Sequence, residues 1–204
     1  MIGIVDYGSG NVGAIANIYQ RLRIAHCVSA DFSELRAADR YVLPGVGSFD
    51  PTMRRLVDSG LAEVLTEQVV VLKKKVLGIC VGMQVLAESS EEGVLPGLGW
   101  IPGRVRRLDL TLLPGKPKLP HMGWNTVCVK SNSELLNGVD SSLGFYFLHS
   151  YYFDAGDQSD VSATTSYGTD IPCAVARSNV FGMQFHPEKS HANGIVVLSN
   201  FSRI

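Results

Sequence analysis

The feature that most constrains this chain is a cysteine between two glycines, in the run Gly78-Ile79-Cys80-Val81-Gly82. The apolar residues 76–79 before it predict a short buried strand, and residues 82–88 after it predict a helix. A side chain on so sharp a strand-to-helix turn is held in strained backbone and projects above the sheet. The helix start also presents its positive dipole end, which favours a thiolate. The pattern therefore predicts that Cys80 is a nucleophile and that the Val81 N–H faces the developing oxyanion.

Strands and helices alternate through the first half of the chain, which predicts a parallel sheet covered by helices on both faces. The predicted strands there are residues 2–5, 26–29, 41–43 and 76–79, and the predicted helices are residues 12–22, 52–57, 61–72 and 82–88. After Gly93 the predicted elements are strands at 105–108, 126–129, 145–152, 163–167, 173–177 and 181–185, then a helix at 193–201. We expect a single α/β domain over residues 1–204, with a mostly parallel central sheet and an antiparallel extension in its second half.

A nucleophilic cysteine needs a base and a group that orients the base. His186 follows the predicted strand at 181–185 and is succeeded by Pro187 and Glu188. Proline ends the strand and stiffens the turn, so that the carboxylate stays near the imidazole and fixes its tautomer. Because Cys80 and His186 both follow strands, we expect them at one edge of the sheet, where open α/β sheets bind ligands.

Charge and cysteine usage exclude several classes of protein. The formal net charge is −1, which gives no electrostatic argument for a nucleic acid or an anionic membrane. No stretch approaches the ~20 apolar residues of a membrane helix, and Asp6 interrupts the N-terminal apolar run too early for a signal peptide. The other cysteines, Cys27, Cys128 and Cys173, are far apart and lack flanking glycines, so they predict neither a metal site nor disulfides. We expect a cytoplasmic protein.

A competing motif stands near the N-terminus, where Gly8-x-Gly10-x-x-Gly13 follows a strand and precedes a helix. With Asp31 after the second strand, this nearly completes a dinucleotide-binding fingerprint and favours an oxidoreductase. That interpretation leaves Cys80 and His186 without a role, and the chain is short for a cofactor domain plus a substrate domain. We instead expect a tight turn whose exposed Ser9 and Asn11 face a partner. A third possibility is a binding subunit with inactive chemistry, which an intact triad argues against.

The motifs together resemble the class I (triad) glutamine amidotransferases, and more narrowly the glutaminase subunits of imidazole glycerol phosphate synthases. The resemblance extends from near residue 2 to residue 202 and implies a flavodoxin-like fold. It is carried by Asp6-Tyr7-Gly8-x-Gly10-Asn11, Pro44-Gly45-Val46-Gly47, Gly78-Ile79-Cys80-Val81-Gly82-Met83-Gln84, Glu88-x-x-Glu91-Glu92-Gly93, Pro120-His121-Met122-Gly123-Trp124-Asn125, Phe147-x-His149-Ser150-Tyr151 and Gly182-Met183-Gln184-Phe185-His186-Pro187-Glu188-Lys189-Ser190.

The resemblance implies roles residue by residue. It implies that Cys80 is the nucleophile, His186 the general base and Glu188 its orienting carboxylate. It further implies an oxyanion hole at Val46, Gly47 and Val81, substrate binding by Gln84, His149, Ser150 and Tyr151, and a partner interface and ammonia passage at Asn11, Met122, Trp124 and Lys189. In the family the Gly-Asn pair is usually followed by Leu-Arg, whereas Val12 and Gly13 stand here. This departure puts the role of the usual arginine in doubt.

The implied reaction is hydrolysis of L-glutamine to L-glutamate and ammonia, with no metal and no organic cofactor. The implied partner is a (β/α)₈ cyclase subunit, bound as a heterodimer, which receives the ammonia and makes imidazole glycerol phosphate and AICAR in histidine biosynthesis. A related amidation pathway, such as surface-sugar biosynthesis, stays open as an alternative.

Overall fold

The computed structural model describes residues 1–109, 111, 118–130 and 133–204, and its first half alternates strand and helix as expected. This half contains β1 Ile2–Val5, α1 Val12–Arg21, β2 His26–Ser29, α2 Phe32–Arg36, β3 Arg40–Gly45, α3 Phe49–Asp58, α4 Leu61–Thr66, β4 Lys75–Cys80 and α5 Val81–Gln84. Strands dominate the second half, with β5 Ser89–Ser90, β6 Gly103–Arg107, β7 His121–Asn125, β8 Cys128–Val129, β9 Phe145–His149, β10 Tyr151–Ala155, β11 Val161–Tyr167, β12 Thr169–Arg177, β13 Val180–Met183 and finally α6 His191–Phe201.

The central sheet has eight strands in the order β2-β1-β3-β4-β13-β12-β11-β8. The pairings from β2 to β13 are parallel, and those from β13 to β8 are antiparallel. This is the predicted parallel sheet with an antiparallel extension. The register sets Gly45 beside Cys80 and Met183 beside Ile79, so β3, β4 and β13 end together at one edge.

Two apolar clusters hold the helices on opposite faces of this sheet. Successive residues of β3 alternate between the clusters, since Val42 belongs to one and Leu43 to the other. Leu56 of α3 lies in the cluster with Leu43, whereas Ile15 of α1 and Phe201 of α6 lie in the cluster with Val42. Burial on both faces explains why the parallel strands read as continuous apolar runs.

Several predicted boundaries were wrong for identifiable reasons. The strand predicted at 145–152 is broken at Ser150 into β9, which pairs with β7, and β10, which pairs with β6. β7 itself was not predicted, nor was α2. The helix predicted at 82–88 is the single turn α5, because Leu86 O accepts hydrogen bonds from Trp100 N (2.9 Å) and Ile101 N (3.1 Å) and the chain then enters β5. The helix predicted at 61–72 is α4 continued by a π-helical turn, Glu67–Val71. No helix in the described part of the chain is long and apolar enough to span a bilayer.

Candidate active site

Cys80 occupies a strained turn between β4 and α5. Its φ of +55° lies in the left-handed region that only glycine adopts easily. The flanking glycines are required by close packing: a Cβ on Gly78 would lie 2.4 Å from Gly82 O, and one on Gly82 would lie 2.0 Å from Leu43 O. The turn predicted from the glycine spacing is therefore present, and it leaves the Cys80 side chain at the end of the central strand.

His186 and Glu188 lie on the turn after β13, directly beside that strand end. His186 Nδ1 and Glu188 Oε1 are 3.0 Å apart, and the two side chains are each 3% exposed. The turn is fixed by hydrogen bonds from His186 N to Tyr146 O (2.9 Å) and from Ser190 Oγ to His186 O (2.6 Å). The imidazole is thus held from behind by a carboxylate, as the sequence predicted.

The environment of His186 favours its protonated form. Burial alone lowers the pKa of the imidazole, but contact with Cys80 and Glu188 and the negative charge of both groups outweigh burial and raise that pKa to about 10. The buried Nε2 forms no well-aligned hydrogen bond with any described residue. This nitrogen is therefore available to exchange a proton with the thiol or with a bound substrate.

A cleft of about 290 Å³ opens beside Cys80 and His186. Its lining contains most of the residues that the resemblance implies for substrate and oxyanion binding, namely Val46, Gly47, Gln84, His149, Ser150 and Tyr151, together with Glu92, Pro120 and Leu148. Grooves of about 1090, 680 and 300 Å³ elsewhere on the described surface contain none of the triad.

Glu92 is a cleft residue for which the sequence predicted no role. Its carboxylate accepts a hydrogen bond from Phe49 N at 2.9 Å, and burial raises its pKa. It is the acidic side chain of the cleft lining, and it is placed to meet a positively charged group on a ligand. The Glu91-Glu92-Gly93 motif was the available signal.

The segment expected to supply the second oxyanion donor is bonded to Ser9 in the first glycine turn. Ser9 Oγ accepts a hydrogen bond from Val46 N at 3.1 Å and donates one to Val46 O at 2.9 Å. Tyr7 Oη donates to Pro44 O at 2.6 Å, which holds the start of the same segment. In this conformation Val46 N–H is bonded to Ser9 Oγ, so the oxyanion role implied for it requires the backbone of the segment to rotate. Gly47 has a φ of +105° and open space around its Cα, so the backbone can rotate there.

This contact also corrects the expectation for the first glycine turn. Ser9 is buried rather than exposed, and only Asn11 faces solvent. Gly13 has neither a positive φ nor any atom near the position of a Cβ. The third glycine of a dinucleotide fingerprint is needed for close helix–strand packing, so the packing does not support the oxidoreductase alternative.

Two buried histidines support the substrate side of the cleft. His149 Nδ1 lies 2.9 Å from Tyr151 O, His121 Nδ1 lies 2.9 Å from His149 Nε2, and Asn125 Nδ2 lies 3.2 Å from His121 Nε2. A carbonyl only accepts, so His149 Nδ1 carries the hydrogen and His149 Nε2 is an acceptor. His121 Nδ1 therefore donates to His149 Nε2, and Asn125 Nδ2 donates to His121 Nε2. Burial lowers the pKa of His121 to about 4 and that of His149 to about 3. Both rings are therefore uncharged near pH 7, and His149 holds the Tyr151 carbonyl in place.

The residues implied for a partner lie on an exposed face around the cleft. Met122 is 66% and Trp124 49% exposed, and the Trp124 ring stacks on His191 with centroids 5.3 Å apart. Lys189 Nζ lies 5.3 Å from the centroid of the Tyr146 ring. Asn11 is exposed and lies two residues after Ser9, which contacts Val46. Among the described residues, no group of three or more His, Cys, Asp or Glu side chains is arranged to hold a metal ion.

Comparisons with known proteins agree with this geometry. The model of the glutamine amidotransferase class-I family matches residues 4–203. A relative from Bdellovibrio bacteriovorus, named imidazole glycerol phosphate synthase subunit HisH, is 52% identical over 206 residues, covering 100% of both chains. A protein of the same name from Leptospira borgpetersenii is 45% identical over 204 residues, again covering 100% of both.

Solved structures show the same fold at lower identity. A GMP synthase protein from Thermoplasma acidophilum superposes with a TM-score of 0.72 at 22% identity, covering 98% of this chain and 91% of that one. A glutamine amidotransferase structure superposes with a TM-score of 0.71 at 18% identity, covering 100% of this chain and 99% of that one.

Proposed function

The chain belongs to the class-I glutamine amidotransferase family, and on that premise we propose that Cys80, His186 and Glu188 are its catalytic triad. It is the glutaminase subunit of an imidazole glycerol phosphate synthase of histidine biosynthesis, which hydrolyses L-glutamine to L-glutamate and ammonia. The observation that carries the assignment of residues is the strained Cys80 turn beside the buried His186–Glu188 pair.

The reaction follows from these positions. The Cys80 proton passes to His186, and the sulfur attacks the side-chain amide carbon of glutamine. The tetrahedral oxyanion collapses as His186 returns the proton to the leaving nitrogen, and ammonia departs. A water molecule, deprotonated by His186, then attacks the γ-glutamyl thioester and releases glutamate. Glu188 keeps the imidazole in the required tautomer throughout and stabilises its charged form.

The cleft supports glutamine as the substrate in this scheme. Its carboxylate Glu92 pairs with the α-ammonium group, and the segment at His149, Ser150 and Tyr151 holds the α-amino-acid end. Gln84, at the foot of the cleft, is hydrogen-bonded to Tyr151 O at 3.0 Å. A glutamine whose α-amino-acid end is held by Glu92 and the 149–151 segment lies in the same cleft as Cys80, so its side-chain amide can reach the sulfur.

The Ser9–Val46 contact supports a glutaminase that is controlled by a partner. Rotation of the Gly45–Val46 peptide would break the hydrogen bond from Val46 N to Ser9 Oγ and free that N–H for the oxyanion, while the bond from Ser9 Oγ to Val46 O restrains the peptide that follows. A missing oxyanion donor costs roughly 10²–10³ in rate, so the chain alone is a poor glutaminase in this conformation. Such control prevents waste, since free ammonia is mostly protonated near neutral pH and is then not a nucleophile.

The partner is a (β/α)₈ cyclase subunit that forms a heterodimer with this chain and receives the ammonia directly. It covers the face that contains Asn11, Met122, Trp124 and Lys189, of which Met122 and Trp124 are large exposed apolar side chains next to the cleft. Binding favours the rotated peptide by its greater affinity for that state.

Glutamate release tests the proposal in three mixtures: the purified chain alone, the chain with the cyclase subunit, and both with the acceptor substrate of the cyclase. We expect a large increase only when partner and acceptor are present, and loss of all activity in Cys80→Ala. Equal release by the chain alone and by the full complex would show a free-standing glutaminase. A separate purification that recovers a different amidation enzyme with the chain would contradict the cyclase partner.

A further inference from the structure

Two buried glutamines form a continuous set of hydrogen bonds behind the proposed nucleophile. Gln184, the residue directly after β13, is completely buried, and Gln84, the last residue of α5, is 4% exposed. Gln84 Nε2 lies 3.0 Å from Tyr151 O and 3.0 Å from Gln184 Oε1. Gln184 Nε2 lies 3.7 Å from Cys80 Sγ.

The orientation of both amides follows from a single backbone acceptor. Tyr151 O can only accept, so the end of the Gln84 amide that faces it must be the NH₂ group. The second hydrogen of that NH₂ group points to Gln184, which must therefore present its oxygen. The remaining end of the Gln184 amide, the NH₂ group, then faces Cys80 Sγ. The group against the sulfur is a donor and cannot be exchanged for an acceptor without losing a buried hydrogen bond.

A donor at this position discriminates between the two forms of Cys80. The thiol can donate to Leu148 O, which lies 3.9 Å from Sγ, and it accepts only weakly from Gln184. A thiolate accepts much more strongly, because hydrogen bonds to ionised groups are about twice as strong as neutral ones. Gln84 lines the substrate cleft and Gln184 is not among the lining residues, so Gln184 reaches the sulfur from within the protein rather than from the cleft.

We propose that Gln184 is a catalytic residue that donates a hydrogen bond to Cys80 Sγ and stabilises the thiolate that attacks. The inference rests on the proposed role of Cys80. The other titratable side chains around the sulfur and its cleft are His186 with Glu188 behind it, Tyr7 beside Gly45, and the cleft residues His149, Tyr151 and Glu92. Of these, His186 also supports the thiolate, so Gln184 supplements the triad and does not replace it.

The test is the rate at which iodoacetamide alkylates Cys80 in the full-length chain, followed on the Cys80 peptide by mass spectrometry. In Gln184→Met, which keeps the length of the side chain but cannot donate, we expect alkylation near pH 7 to slow by about tenfold, and the pH of half-maximal rate to rise by about one unit. Gln184→Glu should shift it further, because a carboxylate repels the thiolate. In the complex with its partner, Gln184→Met should lower kcat and leave KM for glutamine within about twofold.

The matched control is Gln68→Met. Gln68 is also buried, and its amide oxygen accepts a hydrogen bond from Tyr41 Oη at 3.2 Å. Tyr41 pairs with Val76 near the start of β4, whereas Cys80 is the last residue of that strand. Unchanged Cys80 alkylation in folded Gln184→Met, or an equal loss in Gln68→Met, would overturn the proposal.

A second measurement needs no substitution of Gln184. In ¹⁵N-labelled wild-type protein, the side-chain amide resonances of Gln184 should titrate with the same midpoint as Cys80 alkylation and should stop titrating in Cys80→Ala. Resonances that do not move with pH would refute the hydrogen bond even if Gln184→Met fails to fold. Glutamine turnover that survives in Cys80→Ala would instead refute the triad, so the two failures are distinguishable.

Discussion

Removal of the Ser9 hydroxyl should activate the chain in the absence of a partner. Ser9 Oγ bonds Val46 N, in the peptide before Val46, and Val46 O, in the peptide after it, and together the two contacts restrain Val46 in the orientation that keeps its N–H from the oxyanion. Each such bond contributes a net ~0.5–1.5 kcal/mol. Because water replaces part of this in the variant, we expect Ser9→Ala to shift the rotation by about 1–2 kcal/mol, or about 5- to 30-fold in population.

The assay is initial glutamate release by the purified chain without its partner, at saturating glutamine. The increase cannot exceed the roughly 10²–10³-fold effect of an oxyanion donor. Ser142→Ala removes a hydroxyl that donates a hydrogen bond to the nearby Asp140 Oδ1 at 2.6 Å, and it should leave the rate unchanged. Combining Ser9→Ala with Cys80→Ala should abolish the gain. A folded Ser9→Ala variant that releases glutamate no faster than wild type would show that this contact does not restrain the segment.

Three further outcomes are expected. Cys80→Ala should abolish glutamine hydrolysis while the melting temperature stays close to that of wild type, and a glutamine-mimicking electrophile should label Cys80; labelling of Cys27, Cys128 or Cys173 in its place would sink the assignment. Glu188→Gln should reduce turnover less than His186→Ala, because Glu188 orients the base and His186 moves the proton; equal losses would mean a larger role for the carboxylate. The pKa of His121 is lowered to about 4 in the folded chain. Below about pH 6.5 the unfolded chain therefore takes up a proton that the folded chain does not, and the free energy of unfolding decreases as the pH is lowered. Wild type should therefore lose up to ~1.4 kcal/mol per pH unit more than His121→Gln between about pH 6.5 and 4, measured by urea unfolding, and parallel curves would contradict the neutral pair.

The parallel half of the fold was predictable because β1, β3 and β4 are centred on buried apolar runs, and the edge strand β2, which also contains His26 and Ser29, lies between two helical segments. β1 and β2 were predicted with their observed bounds. The run at 145–152 was not resolved, since two polar residues, His149 and Ser150, between hydrophobic ones do not reveal that the chain changes sheet there. β7 was hidden because it contains Gly123, whose φ of +122° is typical of a turn.

The site shows the same division between local and tertiary information. Cys80, His186 and Glu188 were found because each stands beside glycine or proline residues that constrain the local backbone. Ser9 was placed on the surface because a polar residue in a glycine turn is usually exposed. Only tertiary packing brings it against Val46, thirty-seven residues along the chain. Gln184 was overlooked for a similar reason, since nothing local marks a glutamine in an apolar run as functional.

The strand break at Ser150 places the strands that line the ligand cleft outside the sheet that carries the nucleophile and its base. β9 and β10 pair with β7 and β6 and, within the described ranges, with no strand of the eight-stranded sheet that carries Cys80 and His186. β9 also holds the His186 turn through Tyr146 O. Substitutions along β6, β7, β9 and β10 that keep this backbone contact can therefore tune ligand affinity and partner choice without altering the strand registers of the central sheet. A protein that evolves toward a new ammonia acceptor can change these four strands and keep the eight-stranded sheet. Directed evolution of this chain toward another acceptor should accordingly accumulate its changes on those four strands.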